Sequence, residues 1–303
     1  MDPVNPNAPL FPIGVRFIFF SALGFAFMSA FVKGVHNYGI PVFEIVAARA
    51  LVSLVISYAD VRRKGISIWG NNKPLLLARG AVGTMALMCV YYSISNLPLA
   101  QATILQYMHP VFTAVLAVIF LKERIHTPTL ICIVLCLLGL YAMLQPDIQA
   151  SSAEPVSFFS VGIALLGAFG SSIAYVIVKK LSTTEDSSVI IFYFPLVALP
   201  ISAIIMAPDF IWPEWHVSLM LIMVGVCTQI GQFGFTKAMQ TQDAGRASAF
   251  AYIQIVFSIL IGIVWFKEIP DGWTYIGGAL IVSGALINVF GQRLHLFKRK
   301  NRK

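Results

Sequence analysis

The sequence predicts an all-α integral membrane protein of ten transmembrane helices, built as two inverted five-helix repeats with both termini in the cytoplasm. Three observations predict it. Of 303 residues, 58% belong to the AVILMFWYC set and 11% are charged. Counted with Gly and without Tyr, the apolar share is roughly 62%, against ~45–50% apolar and about 25% charged in soluble domains. Second, apolar stretches long enough to cross a ~30 Å hydrocarbon layer recur along nearly the whole chain. Third, one part of the chain repeats another at a fixed shift. A soluble enzyme, a disordered chain and a coiled coil are poorly compatible with these features.

The spans fall at about 13–35, 40–59, 75–96, 98–121, 128–144, 158–180, 187–207, 215–238, 243–266 and 272–291. The first follows a polar, proline-rich stretch, Met1 to Leu10, that lacks a basic n-region, so the run is expected to be a retained helix. Turn formers separate the rest: Gly39-Ile40-Pro41, Asn96-Leu97-Pro98, Thr127-Pro128, Pro146-Asp147, Pro208-Asp209 and Pro270-Asp271-Gly272. The expected division is a tail at 1–12, a first repeat at 13–146, a loop at 147–157, a second repeat at 158–291 and a basic tail at 292–303. No loop is long enough for a separate soluble domain.

Orientation follows from Lys and Arg. With the N-terminus inside, Arg16, the cluster Arg62, Arg63, Lys64, Lys73 and Arg79, then Lys122, Arg124, Lys179, Lys180, Lys237 and Arg246 face the cytoplasm. So does the tail, Arg293 to Lys303; Lys33 and Lys267 fall outside, and Arg49 lies within a span. The net charge of +8 is therefore read as contact with an anionic leaflet, not with nucleic acid. Cys89, Cys132, Cys136 and Cys227 all lie in apolar runs, which supports neither disulfides nor a metal site.

The repeat is gapless over its clearest part. A shift of 145 residues lays Ala100 to Glu123 on Gly245 to Glu268, matching Ala102 with Ala247, Tyr107 with Tyr252, Val111-Phe112 with Val256-Phe257 and Lys122-Glu123 with Lys267-Glu268. It also pairs Gly80 with Gly225 and Gly139 with Gly284. Five spans is an odd number, so the second half enters the membrane in the opposite sense, giving a pseudo-two-fold axis in the bilayer plane.

The pattern Ala100, Ala102, Pro110, Phe112 and Glu123 resembles the EamA-type repeat of the drug/metabolite transporter superfamily, and the resemblance covers nearly the whole chain. The second copy departs from it, with Ile255 in place of the helix proline and Gly245 in place of the first alanine. The resemblance implies secondary transport of small organic metabolites.

Ionisable groups inside spans cost at least ~2.5–3.5 kcal/mol at the bilayer centre, so each needs a reason. Arg49 is read as a fixed cation for a substrate carboxylate or phosphate, or else as a structural partner of Glu44, roughly 140° away round the helix. Thr103, Gln106, His109 and Thr113 share one stripe of the fourth span. His109 stands before Pro110, a candidate bend and gating residue, and reads either as a proton or substrate ligand or as a packing histidine. Under the shift His109 falls on Gln254 and Tyr107 on Tyr252. Gln229, Gln232 and Thr236 form a second stripe, suited to substrate or to interhelical hydrogen bonds. Tyr91, Tyr92, Tyr175 and Tyr252 could stack on substrate or anchor the interface.

The expected substrate-binding set is thus Arg49, Glu44, Gln106, Tyr107, His109, Gln229, Gln232, Tyr252 and Gln254, with no catalytic residues, metal or cofactor. The competing classes are a membrane-embedded enzyme and a non-transporting assembly or receptor subunit. His36, His109, His126, His216 and His295 are dispersed, and no nucleophile–base pair emerges. The expectation is an exporter, importer or exchanger of an anionic or zwitterionic metabolite, amino-acid-like or nucleoside-like. Its candidate driving partner is a coupled proton or a counter-metabolite, and it works as a monomer or homodimer in the lipid bilayer of a bacterial cytoplasmic membrane.

Overall fold

A hydrocarbon layer leaves backbone N–H and C=O groups no outside partner, so spanning segments of this composition fold as helices. The structure is a computed structural model that describes residues 13–97, 103, 105–145, 158–267 and 272–300. Outside the described residues lie the tail 1–12, Pro98, Ala100, Ala102, Pro146, the loop 147–157, Glu268, Pro270, Asp271 and the last residues of the basic tail.

Every regular element among the described residues is helical. In chain order these are α1 (Ile13–His36), α2 (Val42–Arg63), α3 (Lys73–Asn96), α4 (His109–Leu121), α5 (Thr127–Met143), α6 (Phe158–Leu181), α7 (Ser187–Met206), α8 (Trp215–Thr241), α9 (Ala244–Ala249), α10 (Ile253–Phe266) and α11 (Gly272–Lys300). Seven described stretches are long and apolar enough to cross a membrane, one of them being α9 and α10 joined by the 3-10 turn Phe250–Tyr252. The shorter α4 and α5 and the long α11 complete a ten-helix bundle.

Local sequence sets the helix ends. Asn72 accepts a hydrogen bond from the Leu75 N–H at 3.2 Å and opens α3, with Pro74 in the first turn. Asp186 accepts from the Ser188 N–H at 2.8 Å and opens α7. Helices α4 and α10 both stop at a left-handed lysine, Lys122 (φ 55°) and Lys267 (φ 53°). These are the paired positions of the sequence repeat, so the repeat extends to backbone conformation.

Packing obeys the same symmetry. Helix α1 lies along α8 while α3 lies along α6; α2 packs on α7 and α5 on α11; α4 meets α6 while α1 meets α10. Exchanging the two repeats maps each of these contacts onto another or onto itself. Close approach recurs in pairs too: a Cβ on Gly80 would strike Val197, and one on Gly225 would strike Val52, the residue that the shift pairs with Val197. Likewise Gly139 abuts the Gly277 carbonyl and Gly284 abuts that of Cys132. The largest contacts join one repeat to the other, so the halves interlock instead of standing side by side.

The bundle exposes large apolar side chains, and several of the hydroxyls that it buries among its apolar core are satisfied by backbone carbonyls. Phe120 (70%), Val264 (73%) and Ile204 (75%) are exposed, whereas Thr84, Thr113, Ser172 and Thr228 are buried and donate to helix carbonyls. Exposed side chains of that size and number suit a surface that faces lipid.

Candidate functional site

Site geometry begins with a break in two helices. Pro110 has no N–H, and the Val111 N–H turns to the Met108 carbonyl (3.1 Å), which releases the Tyr107 carbonyl from its ordinary helical bond. The Tyr252 hydroxyl donates to that carbonyl at 2.8 Å. The ninth span narrows to a 3-10 turn at Phe250–Tyr252, the matching place, although Ile255 stands where Pro110 does in the first copy. Proline is therefore not the general cause of the break.

Tyr107 and Tyr252 stack with ring centroids 5.7 Å apart and planes at 25°. Two residues related by an approximate two-fold can meet only close to its axis. The same holds for Arg49 and Phe194, also 145 apart, with the guanidinium carbon 5.8 Å from the ring centroid. The axis therefore runs through this region.

Here the helices enclose a cavity of about 220 Å³. Of the sequence-derived candidates, Arg49, Gln106, Tyr107, His109, Gln232 and Gln254 line it. His109 is buried, its carbonyl accepting from the hydroxyls of Thr113 and Ser172, both at 2.8 Å, and its Nδ1 has no protein partner. Its ring meets Tyr175 edge-on at 5.3 Å, and Tyr175 lies 4.4 Å from Phe235; both aromatics also line the cavity.

The remaining candidates lie elsewhere. Glu44 is buried near the start of α2 and accepts from the Ile211 N–H at 3.1 Å, without an ion pair to Arg49 among the described residues. Gln229 donates to the Ser57 hydroxyl at 2.8 Å and lines a second, more open groove with Phe20, Ile56 and Phe233. Tyr252 is fully buried behind Tyr107, and Pro110 is buried in the first turn of α4. Tyr91 and Tyr92 are edge partners of Phe43 and Phe159.

Arg79 was not among the candidates, and the structure moves it. Sequence reading places it in a cytoplasmic basic cluster; in the fold it is 4% exposed and lines the cavity, its guanidinium carbon 5.0 Å from the Phe194 centroid. Its Nε has no hydrogen-bond partner. Arg79 sits six residues into α3, about 9 Å below the helix start, and that depth was the available signal. Arg246, also expected at the cytoplasmic face, is buried and donates to Gln242 Oε1 (2.6 Å) and the Asn288 carbonyl (3.2 Å).

Polar contacts close the end of the bundle where these basic residues gather. Glu123 accepts from the Ala244 N–H at 2.8 Å and so caps the ninth span, with Lys179 Nζ 3.9 Å away. Burial raises the Glu123 carboxyl above its ordinary pKa. Lys179 donates to the Met239 and Gln242 carbonyls at the end of α8. Lys64 ties α2 to α7 through Asp186 (2.8 Å) and Asp60 (3.0 Å). Burial opposes the charge on Asp186, yet Lys64 and the Ser188 N–H hold its carboxyl below the ordinary range.

Known proteins share this architecture. The model of the EamA-like transporter family matches residues 12–145 and 158–290. The pseudopaline exporter CntI of Pseudomonas aeruginosa is 32% identical over 277 residues, covering 90% of this chain and 94% of its own length. Solute carrier family 35 member G1 of Mus musculus is 30% identical over 295 residues, covering 91% of this chain and 77% of its own. A crystal structure of a protein superposes with a TM-score of 0.81 at 17% identity, covering 93% of this chain and 98% of the other, which bears on the fold alone.

Proposed function

The chain belongs to the EamA-like transporter family, and from that premise we propose that it moves a small anionic or zwitterionic metabolite, amino-acid-like or nucleoside-like, across the membrane by alternating access. The observation that carries this reading is the cavity on the pseudo-two-fold axis with Arg49 in its wall. Inverted repeats put the substrate at their common axis, where an exchange of conformations between the halves exposes it to one side and then the other. A guanidinium at that depth offers bidentate hydrogen bonds to a carboxylate or phosphate. The lining amides of Gln106, Gln232 and Gln254 donate and accept, which suits the neutral polar part of a metabolite. Relatives that are named an exporter and a solute carrier support the same class.

We take the two repeats as 13–146 and 158–291, with both termini in the cytoplasm of a bacterium; the distribution of Lys and Arg supports that side. Because the repeats interlock, the moving bodies combine helices of both halves.

The test is a thermal-shift screen of the purified protein against amino acids, nucleosides, organic acids and adenosylated compounds, with hits carried into proteoliposome flux. A ligand at 100 times its Kd stabilises the native state by ~2.7 kcal/mol. A carboxylate-bearing hit that is transported by the wild type and lost in Arg49→Ala upholds the reading; binding without flux, or a hit indifferent to the substitution, overturns it.

A further inference from the structure

We infer that the axial cavity selects a substrate carrying two anionic groups, one held by Arg49 and one by Arg79. This rests on the transport reading and narrows its substrate class. The two guanidinium carbons lie 5.8 and 5.0 Å from the centroid of one ring, Phe194, so they are no further apart than those distances laid end to end. That is the reach of a short carbon chain with an anion at each end.

Charge balance excludes a simpler reading. None of the described residues that line the cavity is Asp or Glu, and the sequence of residues 98–104 contains neither. Of the eight described carboxylates, five are engaged at helix ends and loops, Glu44 with the Ile211 N–H, Glu123 with Ala244, Glu185 with the Asn71 and Asn72 N–H groups, and Asp60 and Asp186 with Lys64, and the other three, Asp209, Glu214 and Asp243, stand at turns and helix starts outside the cavity wall. Among the described residues Arg49 has the Met28 sulfur at 3.8 Å and the Phe194 ring, and Arg79 has the Phe194 face and an orphan Nε. Two guanidiniums beside one ring repel each other, and the buried Arg79 also forgoes its water, a cost that a ligand with two negative groups offsets and one with a single negative group leaves half-uncompensated. A zwitterion adds an ammonium where two guanidiniums already stand.

A structural arginine and a ligand-binding one respond oppositely to removal. Were Arg79 a structural tie, Arg79→Gln would lower the melting temperature of the empty protein. As a buried cation awaiting its anion, its removal relieves the empty state and raises that temperature while weakening the ligand.

The experiment measures melting temperature and affinity of the full chain in detergent, at matched ionic strength. The probes are malonate, succinate, glutarate and adipate against acetate, butyrate and glutamine, on wild type, Arg79→Gln and Arg79→Lys. The expected result is that the best dicarboxylate binds the wild type about tenfold or more tightly than butyrate, as one further charge-assisted contact implies. Arg79→Gln levels the two and melts higher when empty; Arg79→Lys keeps the charge but loses the fork and falls between. A wild type that binds butyrate or glutamine as tightly as every dicarboxylate overturns the inference, as does an Arg79→Gln protein with its preference intact, or a wild type that no probe stabilises. Glutamine flux without dicarboxylate binding would sink the two-anion inference and leave the transport reading standing.

Discussion

In the first repeat the residues numbered 49, 79 and 109 are Arg, Arg and His; at the paired positions of the second stand Phe194, Val224 and Gln254. The contacts that hold helices together show no such difference. Gly80 against Val197 is answered by Gly225 against Val52, and Lys122 by Lys267. Under the alternating access proposed above, each half would adopt, in turn, the conformation of the other, which asks for duplicated mechanical parts. Chemical parts are not duplicated, because a second copy of Arg49 and Arg79 would place four cations around one small space, where like charges interact strongly. Tyr107 and Tyr252 show the division within one pair: the first lines the cavity, while the second is fully buried and donates its hydroxyl to the first's backbone.

The largest expected effect comes from moving the charge across the axis. Because Arg49 and Phe194 face each other near the axis, Arg49→Phe should weaken substrate binding more than tenfold, and Phe194→Arg added to it should restore most of the loss. Titration of a screened ligand against both proteins, with Phe194→Arg alone as control, checks this. A double variant as weak as the single one breaks the comparison, since the axis would then relate backbones without relating the space at the cavity.

A smaller effect is expected in the duplicated parts. A Cβ on Gly80 would sit 2.6 Å from the Tyr193 carbonyl oxygen, and one on Gly225 would strike the Val52 side chain. Gly80→Ala and Gly225→Ala should each destabilise by ~1–3 kcal/mol, because the nearest atom, the Tyr193 carbonyl oxygen in one case and the Val52 Cβ in the other, cannot swing aside by a rotamer change. Melting temperatures in one detergent decide it. Tolerance at one position and collapse at the other would mean that the repeats have diverged mechanically as well as chemically.

The duplicated parts were also those legible in the sequence. Apolar windows near 20 residues located the spans, and one gapless shift gave the inverted repeat, because hydrocarbon thickness and repeat geometry both act on the chain as simple periods. Residues of the cavity were harder. Gln229 and Gln232 are about 60° apart on α8, enough to send one to Ser57 and the other into the cavity. Glu44 sits near a helix end, and its bond to Ile211 depends on a loop whose course no helical period encodes. Arg79 was misplaced because a count of basic residues assigns a cation near a span's cytoplasmic end to the loop, whereas its depth along α3 and the Phe194 face turn it inward.

The smallest effect concerns Glu123, whose partner in the repeat is Glu268. Burial lifts the Glu123 carboxyl above the ~4.3 of an unfolded glutamate. A raised carboxyl holds its proton longer in the folded state, so its contribution to stability is present below the unfolded value and is lost as pH rises through the folded one. Glu123→Gln keeps an acceptor for the Ala244 N–H and removes the titration. The melting temperature of the wild type should therefore fall relative to Glu123→Gln as pH rises above the ordinary glutamate range of about 4.3. Lys179, 3.9 Å away, pulls the other way. If the wild type instead gains as pH rises, the ion pair outweighs burial, and this end of the bundle is closed by charge as well as by the capped helix.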